Sequence, residues 1–298
     1  MPKALKLDFA PEWLALLALA VLDFLWARAI GFHLSINWGD GKLILLGLVF
    51  MLLLRMFWHR GGMMAEYFSL TTAATLTFAI LSYLCLASSG PLVDASLQAA
   101  DRALHFDWQA GYHILLAHPS IAAVLRFAYD SMVYQGLYFC VLFALMEKKK
   151  NLREMFWLVL VMGLFTSLGV LLFPALGPFK LFNAAPSGSF LPEMEHLKSG
   201  RDLNFALASL TGVVSFPSFH TAMALAYAWG FRNTGAIGWL IAALNFLMLC
   251  AIPWYGGHYL IDMIAGAGVM LASLAIVRAL GRRPLMALPE AAAVATQN

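Results

Sequence analysis

Eight apolar runs, each close to the length of a bilayer crossing, constrain this chain more than any other feature. They fall at about 12–32, 42–58, 67–88, 120–146, 153–174, 217–232, 235–253 and 257–280, against the ~20 residues that a membrane-spanning helix needs. Of 298 residues, 62% are hydrophobic and only 12% charged, with a mean hydropathy of +0.78. A soluble domain is roughly half apolar and about a quarter charged. The reading is an all-α, polytopic integral membrane protein with about eight transmembrane helices. A net charge of +3 says little in such a chain, and no basic–aromatic patch points to nucleic acid. Cys85, Cys140 and Cys250 are unclustered and lie inside apolar runs, which argues against a disulfide framework or a zinc site.

Basic residues orient the bundle. Lys3 and Lys6 precede the first run, Arg55 and Arg60 close the second, and Lys148, Lys149, Lys150 and Arg153 separate the fourth from the fifth. Arg232 divides the sixth from the seventh, and Arg278, Arg282 and Arg283 follow the last. Eight crossings put all twelve on one side, which the positive-inside bias makes cytoplasmic, with both termini. The first run lacks a cleavage signal and is expected to remain as a span. On the opposite side, 89–119 suits a short interfacial helix. The Gly-, Pro- and Ser-rich stretch 175–216 is long for a structureless connection and is expected to cap or gate a site.

Two short strings then stand out. Phe216-Pro217-Ser218-Phe219-His220 opens the sixth run, and Gly257-His258-Tyr259-Leu260-Ile261-Asp262 opens the eighth. The 38-residue spacing from His220 to His258 fits a hairpin down and back through the bilayer, so both rings arrive at one membrane surface. Asp262 lies one helical turn after His258, on the same face. Ionisable groups at the mouth of a span are costly and usually functional. A histidine can attack phosphorus or hand a proton to a leaving oxygen, and Asp262 can orient the His258 ring. Pro217 suits a first helical position, leaving the amides of Ser218, Phe219 and His220 to face an anion at the positive end of the helix dipole.

These motifs resemble the second and third signatures of the type 2 phosphatidic acid phosphatase superfamily. Their wording is most similar to its inositolphosphotransferase-like branch, which includes fungal inositol phosphorylceramide synthase. Pro174-Ala175-Leu176-Gly177-Pro178 is similar to that branch's first motif, and the resemblance covers about residues 120–281. It implies a six-helix catalytic bundle that also takes in the third span. It further implies His258 as nucleophile, Asp262 as its orienting partner, His220 as the acid, and no metal or other cofactor. Two departures matter. The superfamily's usual phosphatases carry Lys-x6-Arg-Pro in the first motif, and an arginine six residues before the nucleophile where this chain has Ile252. A phosphoryl group still needs donors, and the candidates are Ser218, Phe219, Lys180, Arg201, Lys198 and Arg126, with Lys180 favoured. Gly177, Pro178, Arg126 and Tyr129 are candidates for a substrate cleft.

The expected organisation is two extra N-terminal helices over 1–66, a membrane-embedded phosphatase or phosphotransferase domain over 67–283, and a mobile tail over 284–298. The expected activity is metal-independent phosphoryl transfer from a membrane lipid phosphate or phospholipid at the outer face, periplasmic in a bacterial inner membrane. A lipid phosphate phosphatase is the leading reading. The alternatives are transfer of a phospho-headgroup to an alcohol, and a non-catalytic lipid transporter or scaffold. Elsewhere, Arg126 and Asp130 read as an ion pair, Tyr129, Tyr134 and Tyr138 as packing or cleft lining, and Asp23 as an acid without an evident partner. Trp108 and Trp254 read as interfacial anchors; Gly266 and Gly268 read as close-contact positions.

Overall fold

The computed structural model describes residues 7–184, 186, 189–200, 203–207 and 210–281. Each apolar run forms a helix: α1 Ala10–Ile30, α2 Trp38–Phe57, α3 His59–Ser88, α6 Pro119–Leu145, α7 Lys149–Leu172, α10 Phe219–Gly230, α11 Ala236–Tyr255 and α12 Leu260–Gly281. The connections add α4 Asp94–Ala103, α5 Trp108–Ala117, α8 Pro178–Leu181 and α9 Leu191–Ser199. The only strands among the described residues are β1 His33–Ser35 and β2 Asn204–Ala206, paired in parallel with Leu34 opposite Phe205. The all-α membrane fold therefore stands.

Among the described residues, five helices (α1, α3, α7, α11 and α12) are long and apolar enough to cross a bilayer. The other three runs fall short for different reasons. In α2 the apolar stretch is only Leu45–Phe57. α6 is long but carries Arg126, Asp130 and Gln135. α10 has 12 residues, or about 18 Å at 1.5 Å per residue, against a hydrocarbon core of ~30 Å. The non-helical stretch 210–218 precedes it. Irregular backbone at membrane depth is tolerated only where protein covers it, and α3 does so. Ser82 Oγ accepts from the Val213 amide at 3.1 Å, and the Tyr83 hydroxyl oxygen accepts from the Thr211 amide at 3.4 Å.

α10 is the hub, packed against α6, α7, α11 and α12, while α3 packs on α6 and α7. α1 and α2 attach from outside, both against α3. A charged cluster ties them down at the end of the bundle away from His258. Glu66, fully buried, accepts from the amides of Asp8 and Phe9 at 2.9 Å each and pairs with Arg55. Arg55 and Lys149 also reach Asp8, and Arg153 reaches Glu12. Removing one partner of such a buried network strands the others. Four groups expected to share a membrane side, Arg55, Arg60, Lys149 and Arg153, do share one end: Arg60 pairs with Glu147 beside the α6–α7 turn. Lys3, Lys6, Arg282, Arg283 and the tail over 284–298 lie outside the described residues. Asp23 is buried against α3, and neither carboxylate oxygen has a partner.

Candidate active site

His258 occupies the turn between α11 and α12 and is only 2% exposed. Its Nδ1 lies 3.3 Å from Asp262 Oδ2, and the same oxygen accepts from the Tyr259 amide at 2.9 Å. With the proton on Nδ1, His258 donates to Asp262 and Nε2 keeps a lone pair. At 3.3 Å the bond is long, as catalytic hydrogen bonds often are without substrate. The Ser215 backbone also faces the ring, so the loop before α10 helps to aim it.

His220, the second residue of α10, is half-buried and interacts electrostatically with both His258 and Asp130. Tyr129 of α6 stacks on it, with centroids 4.5 Å apart. A Cβ placed on Gly256 would meet His258 Cδ2 at 2.7 Å and the Tyr129 hydroxyl at 3.2 Å. One backbone position thus touches both the His258 ring and the tyrosine that holds His220. The two histidines and Asp262 come together as the hairpin required.

The anion-facing amides differ from expectation. The Ser218 amide donates to the Asp262 carbonyl at 3.0 Å, and Ser218 Oγ accepts from the Thr221 amide at 3.3 Å. Ser218 is fully buried and caps its own helix, which joins α10 to α12 rather than reaching outward. Phe219 is the half-buried first residue of α10. Gly177 adopts φ +84, and a Cβ there would stand 2.4 Å from the Gly257 carbonyl oxygen. Only glycine lets the proline motif lie against the His258 turn. Pro178 begins the buried base of α8, and the ring of Phe179 covers Gly257.

The candidate cations scatter. Lys180 is ion-paired with Glu195 in a groove of about 280 Å³ between α8 and α9. Lys198 donates to Ser89 O, Ser89 Oγ and Gly90 O at 2.8–3.0 Å. Arg201 lies outside the described residues. Arg126 bonds Asp130 at 2.7 Å and lies over the Tyr255 ring, which in turn leans on Tyr129. Arg126 is thus two rings away from His220. Tyr134 is 70% exposed and Tyr138 stacks on Phe231, so Tyr129 is the member of that trio that reaches the site.

Two acids missed at the sequence level support the site from α4. Asp94 accepts from the Gly177 amide at 2.8 Å, from the Leu176 amide, and from the Tyr259 hydroxyl at 3.1 Å. Asp101, fully buried, accepts from the Leu260 and Ile261 amides at 2.9 Å each, so it caps α12 two residues beyond His258. Burial raises the Asp101 carboxyl above its ordinary range, and those two amides pull it back. The available signal was the stripe Asp94, Leu97, Gln98 and Asp101: Leu97 and both acids recur at helical spacing on one face. Trp108, expected at the interface, is fully buried, donates to the Pro253 carbonyl at 2.8 Å and stacks on Phe182.

Among the described residues, no cluster of three His, Cys, Asp or Glu is placed to hold a metal. No curated protein and no solved structure matches the chain. A family model described as the PAP2 superfamily matches residues 95–276, beginning at α4 and ending in α12, and so takes in Asp101, Tyr129, both histidine motifs and Asp262. With more than half of its length matched, the chain belongs to the PAP2 superfamily of type 2 phosphatidic acid phosphatases, whose phosphatase-type phosphoryl transfer it shares in general terms.

Proposed function

We propose that this protein transfers the phosphoryl group of a membrane lipid phosphate through His258. The observation that carries the reading is the His258–Asp262 pair set beside a tyrosine-stacked His220 on a neighbouring helix. Nε2 of His258 attacks phosphorus while the bond to the lipid oxygen breaks and His220 protonates that oxygen. Asp262 supports the positive charge that develops on His258. His220, now neutral, takes a proton from water, and the resulting hydroxide attacks phosphorus. The P–N bond breaks, phosphate leaves, and His258 is restored.

Arg126 and Asp130 are 60% and 47% exposed on α6, within a chain whose neighbours there are lipid. Charges facing lipid are costly, and a lipid phosphate between the helices would offer Arg126 an anion beside the Tyr129–His220 stack. Lys180 supplies a second cation on the α8 side once it parts from Glu195. The catalytic end is proposed to be the outer, periplasmic face, with the basic loops in the cytoplasm.

A second reading, transfer to an alcohol, rests on Ile252. It is fully buried against Ala224 and Met248, at the position where the usual phosphatases place an arginine. The deciding experiment is phosphate release by purified protein with excess chelator, from phosphatidate, phosphatidylglycerol phosphate, polyprenyl diphosphate and sphingoid phosphates. Release that persists with chelator and disappears in His258→Ala supports the phosphatase. Headgroup-labelled product formed only when an acceptor alcohol is added supports the transferase. Lipid movement that is unchanged in His258→Ala overturns both.

A further inference from the structure

A second groove, of about 490 Å³, lies between α4 and the end of α8, lined by Ala95, Gln98, Ala99, Arg102, Leu181 and Phe182. The four α4 residues follow i, i+3, i+4, i+7 spacing and form one face, next to the face on which Asp94 and Asp101 hold the catalytic turns. Two polar groups in this groove have unmet bonding capacity. Gln98 is 8% exposed, and its Oε1 has no hydrogen-bond donor. Leaving a buried acceptor empty is costly. Arg102 is exposed and, among the described residues, its guanidinium has no ion pair or hydrogen bond. The remaining walls are apolar: two alanines that leave room, exposed Leu181, and Phe182 backed by Trp108.

We propose that this groove is a binding site for an anionic membrane lipid whose headgroup carries a hydroxyl. Its phosphate meets Arg102, its hydroxyl donates to Gln98 Oε1 once that amide, closed off from solvent in this structure, turns into the groove, and its apolar part lies on Ala95, Ala99, Leu181 and Phe182. The charge selects an anion, and the unpartnered acceptor selects a donor-bearing headgroup over a choline. The short amphipathic helix α4 lies beside the chain's membrane-spanning bundle, at the end holding His258, where lipid headgroups are in reach. The groove is separate from His258, and its occupancy does not depend on the chemistry proposed there.

The test is maleimide labelling of Leu181→Cys in nanodiscs of phosphatidylcholine with or without phosphatidylglycerol, with Cys250 replaced by serine. Phosphatidylglycerol slows labelling, and Arg102→Ala raises the lipid fraction needed by at least roughly tenfold, as the loss of a charge-assisted hydrogen bond requires. Gln98→Leu weakens protection while leaving the charge in place. Ala99→Trp fills the groove and abolishes the lipid dependence. Equal labelling in both bilayers overturns the proposal, as does protection that survives both Arg102→Ala and Gln98→Leu. Protection by inorganic phosphate in phosphatidylcholine discs overturns the lipid assignment in favour of a soluble anion. His258→Ala retains protection, so an inactive enzyme with an intact groove separates this inference from the catalytic one.

Discussion

Tyr129 lies flat against His220, with ring centroids 4.5 Å apart and planes 11° from parallel. The imidazole at the mouth of α10 is therefore held by a neighbouring helix as well as by its own backbone. Tyr129 is braced in turn by Tyr255, whose hydroxyl donates to the Ala122 carbonyl at 2.6 Å. A histidine that must first give and then regain a proton at one oxygen position benefits from a fixed ring plane.

Replacing Tyr129 separates the stack from the hydroxyl. Tyr129→Phe keeps the ring contact, and its kcat stays within about twofold of the parent. Tyr129→Ala loses an aromatic pair worth ~0.5–1.5 kcal/mol, and kcat falls roughly three- to tenfold. Lipid phosphate release at saturating substrate reads the difference; equal rates for the two variants would show that the stack does not position His220.

Asp101→Ala leaves the Leu260 and Ile261 amides without their acceptor. Loss of a helix cap costs ~0.5–2 kcal/mol, seen as a lower Tm in detergent. Because the capped turn carries His258, kcat falls as well, at temperatures where the variant is fully folded. Asp101→Asn retains an acceptor oxygen and recovers part of both losses. A variant with a lowered Tm and unchanged kcat would confine Asp101 to stability.

The sequence exposed some of this arrangement and hid the rest, for physical reasons. Hydropathy located eight helices, five of them among the described residues long and apolar enough to cross a bilayer, because burial in lipid demands apolar runs, and loop charge placed Arg60 and Lys149 at one end. The two histidine motifs were legible because each is local, with Asp262 one turn from His258. The roles of Asp94 and Asp101 were hidden because their partners lie 82 to 165 residues away. In sequence, α4 looks like a surface helix with acids facing water. Ser218 misled in the opposite direction: its amide seemed available to an anion, yet α12 supplies the Asp262 carbonyl to it. α10 proved shorter than its apolar run because Ser218, just after Pro217, caps its start and Phe231 caps its end.

Lys198 provides a contrast with the site cations. Burial lowers its pKa, and three acceptors on Ser89 and Gly90 use all three of its protons. Lys198→Met therefore removes a tie between α9 and the end of α3, at a cost of ~1.5–3 kcal/mol for hydrogen bonds to a charged group. The Tm falls while KM for a lipid phosphate is unchanged. A raised KM with an unaltered Tm would instead make Lys198 a substrate contact.

Gly266 and Gly268 look equivalent in sequence, two small residues in one span, yet the same substitution has opposite signs at the two. A Cβ on Gly266 would stand 2.4 Å from the Ser218 carbonyl oxygen and 3.1 Å from Thr221 Cβ, whereas nothing lies within 4 Å at Gly268. Gly266→Ala must push α12 away from α10, against backbone that cannot rotate aside. Overpacking of this kind costs ~1–3 kcal/mol, more than the roughly 1 kcal/mol that alanine gains over glycine in a helix. The displacement also moves Asp262 relative to the Ser218 amide that its carbonyl holds, so phosphate release falls with stability. Gly268→Ala meets no obstacle and gains up to about 1 kcal/mol of helix propensity, raising the Tm with activity intact. Thermal unfolding of the two variants side by side checks the pair. A shift of the same sign in both would mean that the α10–α12 contact at Ser218 does not set the spacing of the catalytic helices.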